Sequence, residues 1–257
     1  MNTITKPYHA ALDDSRPVAG TEQAWWPTDT AERYTEMMQD PVHREYFAKH
    51  GWDQPGAITY CFNSLGFRDY STTADFTSDD DNLVALGCSF TMGIGLPWKS
   101  IWPTLLGQEL NLRVCNFGWG GASSDQCYRY AEYWVPELKP RLVVLLNPPR
   151  GRLELLVDEA TGRAKPIVPH DTDHDPFVKQ WLSVDANARL NNRKNSGAIG
   201  AICHQLGIPF LTYEADEWMS RSREIAGYAR DYFHAGPEGH KTFTDRIIDD
   251  WRKKRFA

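Results

Sequence analysis

The sequence lacks an excess of positive charge, a long apolar segment and a signal-peptide pattern. Its 28 lysines and arginines are outnumbered by 34 aspartates and glutamates, which gives a formal charge of −6. A nucleic-acid surface more often carries a basic excess, so we expect no nucleic-acid partner. No apolar run approaches the roughly 18 residues of a membrane-spanning helix, and the first residues lack the apolar core of a signal peptide. These absences predict a cytoplasmic protein without a membrane partner.

Cysteine is scarce and scattered. The five cysteines are widely spaced and form no C-x-x-C pair, so neither a disulfide framework nor a zinc site is indicated. We expect reduced thiols, most of them buried. They are Cys61, Cys88, Cys115, Cys127 and Cys203.

Motifs for a cofactor or a metal are missing as well. The glycine-rich segment at 118–121 does not have the G-x-G-x-x-G spacing, and no acidic residue stands where it could bind a ribose. The histidines and aspartates at 170–175 could bind a divalent cation, but consecutive loop residues rarely converge on one metal. We therefore predict neither a cofactor nor a metal.

What the sequence does contain is organised around the segment 82–95, NLVALGCSFTMGIG. Residues 83–86 form a continuous apolar run, which is typical of a strand buried on both faces of a parallel sheet. The run ends at Gly87-Cys88-Ser89, so a nucleophilic side chain stands where a central strand ends. Open α/β sheets bind their ligands at that edge. The alternative is that Ser89 only caps the next helix.

Further strands and helices alternate along the chain. Apolar runs predict strands at 112–117, 142–146 and 208–213, and helical patterns fill the segments between and after them. The helix that follows residue 122 begins at Ser123, which has a capping-box spacing with Gln126. This alternation predicts an α/β fold with a mostly parallel sheet.

The chain is predicted to divide at residue 57. Residues 1–57 form an N-terminal arm and helical extension, with helices from about 27 to 38 and from 41 to 50. Residues 58–257 form the α/β domain, in which a strand at 58–62 precedes a turn. We expect Arg68 to pin that turn rather than to face a substrate. Residues 151–185 are a long polar stretch, predicted to be a lid or specificity insertion.

A second group of candidate residues lies near the C-terminus. Asp231 and His234 are three residues apart and precede a helix that Gly236-Pro237 opens. At this spacing the carboxylate can hold the imidazole Nδ1 and leave Nε2 free to act as a base. The alternative is a polar loop with a capping aspartate.

Four segments, taken together, resemble the SGNH (GDSL-like) hydrolases. G-C-S-F-T-x-G at 87–93 is similar to their first block and N-F-G-W-G-G at 116–121 to their second. The strand ending at Asn147 lies where the third block is expected, and D-Y-F-H at 231–234 is similar to their D-x-x-H block. The resemblance covers about residues 58–250. It implies a three-layer α/β/α flavodoxin-like fold, a Ser89-His234-Asp231 triad and Gly121 as an oxyanion glycine.

Two positions depart from that family pattern. Cys88 stands in place of the first-block aspartate, and the third block reads Asn147-Pro148-Pro149-Arg150 instead of G-x-N. Asn147 and Arg150 are the candidates for the missing oxyanion donor, and Arg150 is favoured. Loss of one such donor costs about 10²–10³ in rate.

The leading hypothesis is a serine esterase or deacylase that acts on small acyl esters such as acetylated sugars, the substrate class that the resemblance implies. His234 would take the proton of Ser89, and the backbone N–H groups of Ser89 and Gly121 would hold the oxyanion. Two alternatives stay open. One is an accessory or binding protein that has lost efficient hydrolysis, and the other is an O-acyltransferase that uses the same triad.

Overall fold

A computed structural model describes residues 18–78, 80–158, 163–169, 176–218 and 227–255. The strands in chain order are β1 (Glu22–Gln23), β2 (Tyr60–Phe62), β3 (Arg68–Asp69), β4 (Asn82–Gly87), β5 (Arg113–Gly118), β6 (Leu142–Asn147), β7 (Leu153–Asp158), β8 (Arg163–Ile167) and β9 (Phe210–Glu214). The helices are α1 (Ala31–Met37), α2 (Pro41–His50), α3 (Ser89–Met92), α4 (Trp102–Leu110), α5 (Ser124–Leu138), α6 (Pro176–Leu182), α7 (Asp185–Gln205) and α8 (Pro237–Arg255).

The central sheet contains four parallel strands in the order β5-β4-β6-β9. Numbered along the chain, these strands follow the order 2-1-3-4 of flavodoxin-like sheets. Every residue of β4 is buried, as its continuous apolar sequence predicts. The predicted α/β class and parallel sheet are therefore confirmed.

Helices cover both faces of this sheet. Because side chains alternate along a strand, Leu83 and Ala85 enter the core under α4 and α8, while Val84 and Leu86 enter the core under α5 and α7. β6 divides in the same way, with Val144 on the first face. The arrangement is the predicted three-layer α/β/α fold.

The N-terminal segment begins differently from the prediction. The sequence predicts that Pro27-Thr28-Asp29 cap the first helix, but α1 begins at Ala31 and its N-cap is Thr30, whose side chain accepts a hydrogen bond from Arg33 N. Residues 26–29 instead form a tight turn in which Trp26 and Asp29 exchange two backbone hydrogen bonds. The sequence Pro27-Thr28-Asp29 is also typical of a helix start. Here the backbone N–H and C=O groups of Trp26 and Asp29 bond to each other within the turn instead.

A small antiparallel sheet of β1, β2 and β3 follows. Its strands are two or three residues long. The two-residue strands β1 and β3 are too short to show an alternation of apolar and polar residues in the sequence. This sheet joins chain segments on both sides of residue 57.

The segment 151–185 contains a β-hairpin of β7 and β8 and the helix α6. Arg129 and Glu154 tie the hairpin to α5 through two short hydrogen bonds of 2.7 and 2.9 Å between largely buried side chains. The histidines and aspartates at 170–175, for which no metal is predicted, lie outside the described residues, as do residues 1–17. None of the helices in the described part of the chain combines the length and the apolarity needed to cross a bilayer.

Candidate active site

Ser89 lies two residues beyond the end of β4 and is the first residue of α3. Ser89 is only 6% exposed to solvent. α3 packs directly against the end of β5, where a Cβ on Gly118 would overlap the backbone of Thr91 and Met92. Glycine at position 118 therefore allows the short helix to lie on the sheet edge and fixes the position of Ser89.

Asp231 and His234 form a buried hydrogen-bonded pair. The distance from His234 Nδ1 to Asp231 Oδ2 is 2.6 Å, and the residues are 1% and 2% exposed. The other carboxylate oxygen, Oδ1, accepts the backbone N–H groups of Phe233 and His234. The spacing of three residues thus closes a tight loop in which the carboxylate orients the imidazole, and no described residue forms a hydrogen bond with Nε2.

The carboxylate is held in its charged form. Burial acts to raise the pKa of Asp231, but His234 and the hydrogen bonds to the carboxylate outweigh burial, so this pKa is lowered. An ionised Asp231 favours the tautomer in which His234 carries its proton on Nδ1.

Two contacts bring the loop of Asp231 and His234 to the segment that carries Ser89. The rings of Phe90 and His234 pack edge to face with centroids 4.9 Å apart. Arg230 N also donates to Gly95 O at 2.9 Å. Ser89 and His234 share no hydrogen bond in the structure, and such catalytic hydrogen bonds are often long until substrate binds.

The two backbone N–H groups predicted to hold the oxyanion have no partner within helices or backbone turns of the described residues. The N–H of Ser89 opens α3 and so has no partner within the helix, and the N–H of Gly121 makes no backbone hydrogen bond among the described residues. Gly121 adopts a left-handed φ of 77°. The side chain of Val168, just after β8, lies 3.8 Å from the position of a Cβ on Gly121. The hairpin therefore reaches the loop that carries the predicted oxyanion glycine.

Asn147 and Arg150 lie farther along the same sheet edge. Asn147 is buried, and one of the two Nδ2 hydrogens is donated to Glu214 Oε1 at 2.9 Å. Arg150 is about half exposed and lies 4.0 Å from Asp216. Both line a cleft of about 690 Å³ beside β9, α7 and α8, a cleft that neither Ser89 nor His234 lines.

Several buried or half-buried polar residues near the pair were not expected from the sequence. Thr28 Oγ1 donates to Asp231 Oδ2 at 2.7 Å, and Asp29 forms an ion pair with Arg230. His240 Nδ1 accepts the backbone N–H of Trp102 at 2.9 Å, and burial lowers the pKa of His240 to about 3. A signal for His240 existed in the G-x-x-G-H sequence at 236–240, whereas no local pattern marks Thr28.

No cluster of three or more histidine, cysteine, aspartate or glutamate side chains suited to a metal ion occurs within the described ranges. The candidate site is thus built from a serine, a carboxylate-imidazole pair and backbone amides.

Comparisons with known proteins give the following similarities. No protein-family model matches the chain, and no curated protein is significantly similar to it. Among solved structures, the psychrotrophic esterase EstA from Pseudoalteromonas sp. is 15% identical, with 69% of this chain and 100% of that chain covered and a TM-score of 0.38. A member of the lipolytic protein G-D-S-L family from Veillonella parvula is 13% identical, with 65% and 96% covered and a TM-score of 0.35. The chain is also similar to an acetyl xylan esterase, at 16% identity with 66% and 98% covered and a TM-score of 0.34.

Proposed function

We propose that this protein is a serine-dependent ester hydrolase in which Ser89, His234 and Asp231 act as a triad. The observation that carries the proposal is the buried 2.6 Å hydrogen bond between His234 and Asp231. It lies next to the turn that presents Ser89 at the carboxyl end of the central strand. The four sequence blocks that resemble the SGNH hydrolases support the same assignment.

The first half of the reaction forms an acyl-enzyme. His234 Nε2 takes the proton of Ser89 while Oγ attacks the carbonyl carbon of the ester, and Asp231 stabilises the imidazolium that results. The backbone N–H groups of Ser89 and Gly121 donate to the oxyanion of the tetrahedral intermediate. His234 then gives its proton to the leaving alcohol as the carbon-oxygen bond breaks.

The second half releases the acid. Water loses a proton to His234 and attacks the acyl carbonyl, and Ser89 leaves with that proton. Small acyl esters are the proposed substrates, and acetylated sugars are the class to test first. The five cysteines form no disulfide, which supports a cytoplasmic location.

The decisive experiment compares Ser89→Ala with Ser78→Ala, a control at an exposed serine. With p-nitrophenyl acetate, Ser89→Ala should lose nearly all hydrolysis while its melting temperature is retained, because the substitution removes one hydroxyl. The control should behave as the wild type. A fluorophosphonate should label Ser89 in the wild-type protein, as mass spectrometry of the peptide would show. Wild-type-like hydrolysis by Ser89→Ala would refute the proposed nucleophile.

A second candidate function is an accessory or binding protein with little hydrolysis. The position of Asn147 favours it, because this side chain lines a cleft beside β9 that neither Ser89 nor His234 lines and so supplies no third oxyanion donor beside Ser89. Absence of labelling at Ser89 in the folded wild-type protein would support this candidate.

A further inference from the structure

The carboxylate of Asp231 receives a hydrogen bond from a distant part of the chain. Thr28 lies in the N-terminal extension, 203 residues before Asp231, and its Oγ1 donates to Oδ2 at 2.7 Å. The same Oδ2 accepts from His234 Nδ1. Each of the two carboxylate oxygens therefore has two donors, which is a complete set for a buried aspartate.

Thr28 adopts an unusual backbone conformation to make this contact. Its φ is +78°, in the left-handed region that β-branched residues rarely occupy. Such a conformation costs of order 1–3 kcal/mol and persists only where surrounding structure enforces it. The turn at 26–29 enforces it here, because Trp26 and Asp29 exchange backbone hydrogen bonds across Thr28.

A buried ion pair attaches that turn to the loop of the catalytic pair. Asp29 accepts from Arg230 Nε at 2.9 Å and from Arg230 Nη2 at 2.8 Å, and Arg230 directly precedes Asp231. Tyr60 donates to Asp29 and accepts the backbone N–H of Gly95, in the loop that follows Ser89 and α3. The turn is thus held against both loops of the candidate active site.

We propose that Thr28 is a positioning residue that orients the Asp231 carboxylate and stabilises its negative charge, and that the Asp29–Arg230 ion pair holds Thr28 in place. This inference rests on the proposed triad. The hydroxyl of Thr28 holds Asp231 Oδ2 in the direction of His234. Its hydrogen bond also stabilises the negative charge of the carboxylate.

The pH dependence follows from that stabilisation of charge. Without the hydroxyl, Asp231 has one donor fewer on Oδ2, so it becomes more basic and attracts the Nδ1 proton of His234 more strongly. The imidazolium is then favoured over the neutral ring. Among the described residues, the other charged or titratable groups near the pair include Arg230 with its partner Asp29, Tyr60 on Asp29, Tyr232 within the loop, and His240 with Arg68 near it. A substitution at Thr28 changes none of them.

The test uses three substitutions of Thr28. Thr28→Gly removes the hydroxyl and suits a φ of +78°, so it should melt close to the wild-type temperature, because relief of the backbone strain offsets the lost hydrogen bond. Thr28→Val removes the hydroxyl but keeps the branched shape, and Thr28→Ser keeps the hydroxyl. Thr35→Val, at an exposed helical threonine whose hydroxyl donates only to Ala31 O, is the matched control.

With p-nitrophenyl acetate, the Gly and Val variants should lose about tenfold in kcat with little change in KM, because the carboxylate no longer holds the imidazole in its productive orientation. The acid limb of their kcat/KM profiles should move up by roughly half a pH unit. The Ser variant and the Thr35→Val control should stay close to wild type. A Thr28→Gly enzyme with wild-type kcat and an unmoved acid limb would overturn the inference, and so would a Ser variant that is impaired as much as the Gly variant.

A measurement without turnover separates this inference from the proposed function. In the Ser89→Ala background, the low-field proton NMR signal of His234 Nδ1–H, which reports its hydrogen bond to Asp231, should shift when Thr28→Gly is added and stay unchanged when Thr28→Ser is added. If wild-type protein hydrolyses no ester but this shift occurs, the hydrolase assignment fails and the positioning contact stands. If the enzyme hydrolyses esters and the shift is missing, the role of Thr28 is wrong.

Discussion

Arg68 provides the sharpest test of how the turn after Ser89 is held. It is fully buried and has no carboxylate partner among the described residues. Its guanidinium donates to the backbone carbonyls of Met92, Gly93 and Leu96 at 2.8, 2.5 and 2.6 Å. Arg68 is therefore a structural residue, as expected, but the turn that it holds is the one after Ser89 and not the turn at 63–66 that the sequence predicts.

The size of the effect follows from two opposing contributions. Hydrogen bonds from a charged donor contribute about 1.5–3 kcal/mol each, so loss of the three short bonds costs roughly 6 kcal/mol. Against this, burial lowers the pKa of Arg68 to about 10, an unfavourable free energy of about 3 kcal/mol that an uncharged side chain avoids. Arg68→Met should therefore destabilise the fold by about 3 kcal/mol.

Arg68→Lys should be at least as harmful as Arg68→Met. Lysine keeps the buried charge and its unfavourable free energy, but a single ammonium cannot reproduce the fork that reaches three carbonyls. We expect a loss of about 3–5 kcal/mol for the lysine variant. A nominally conservative substitution would thus be no better than an apolar one.

Urea unfolding followed by tryptophan fluorescence measures both variants. With a slope near 3 kcal/mol per M, a loss of about 3 kcal/mol lowers the midpoint by about 1 M. Arg141→Met is the control, because the Arg141–Asp81 pair is well exposed and should contribute less than about 1 kcal/mol. A midpoint of Arg68→Met equal to wild type, or a lysine variant clearly more stable than the methionine variant, would refute this reasoning.

Two further predictions concern residues around the site. The pKa of His240 is about 3 in the folded protein and near the usual 6.5 in the unfolded chain. Between these two pH values the unfolded state binds more protons than the folded state. The free energy of unfolding therefore falls as the pH is lowered, by about 1.4 kcal/mol per pH unit. His240→Asn, which keeps an acceptor for Trp102 N, should flatten urea-derived stability between about pH 6 and pH 4, and an unchanged slope would contradict the assignment. Asn147→Ala should lower stability by about 1–3 kcal/mol through the unpaired Glu214, whereas Arg150→Ala should leave the melting temperature unchanged. A fall in kcat/KM of Arg150→Ala at unchanged melting temperature would show that backbone donors alone do not hold the oxyanion.

The central strands could be predicted because their apolar sequences leave few alternatives. The runs at 83–86 and 142–146 are short for a buried helix and so favour a strand covered on both faces, and the structure places them side by side as β4 and β6. Predicted boundaries differ from the observed ones by one or two residues, which is the usual uncertainty at element ends.

The hairpin of β7 and β8 was not predicted, although a signal exists. Apolar residues at 153 and 155–157 are followed by Thr161-Gly162, a pair typical of turns. Charged residues and Pro166 made the segment resemble a polar insertion. Its position is fixed by the Arg129–Glu154 pair, and this pairing of residues 25 apart leaves no mark on local sequence.

In the candidate site, too, local contacts could be predicted from the sequence and long-range contacts could not. Motif spacing identified Asp231 and His234 because their contact is local, within one tight loop. It could not identify Thr28, because the hydroxyl and the carboxylate are 203 residues apart and the Pro27-Thr28-Asp29 sequence is equally typical of a helix start. The polar residues of the extension were therefore interpreted as caps. In the fold, the requirement that buried polar groups find partners gives them another role: Asp29 neutralises Arg230, and Thr28 completes the set of donors on Asp231. Apolar burial thus sets where Ser89 lies, and polar contacts from the N-terminal extension set how the carboxylate beside it is oriented.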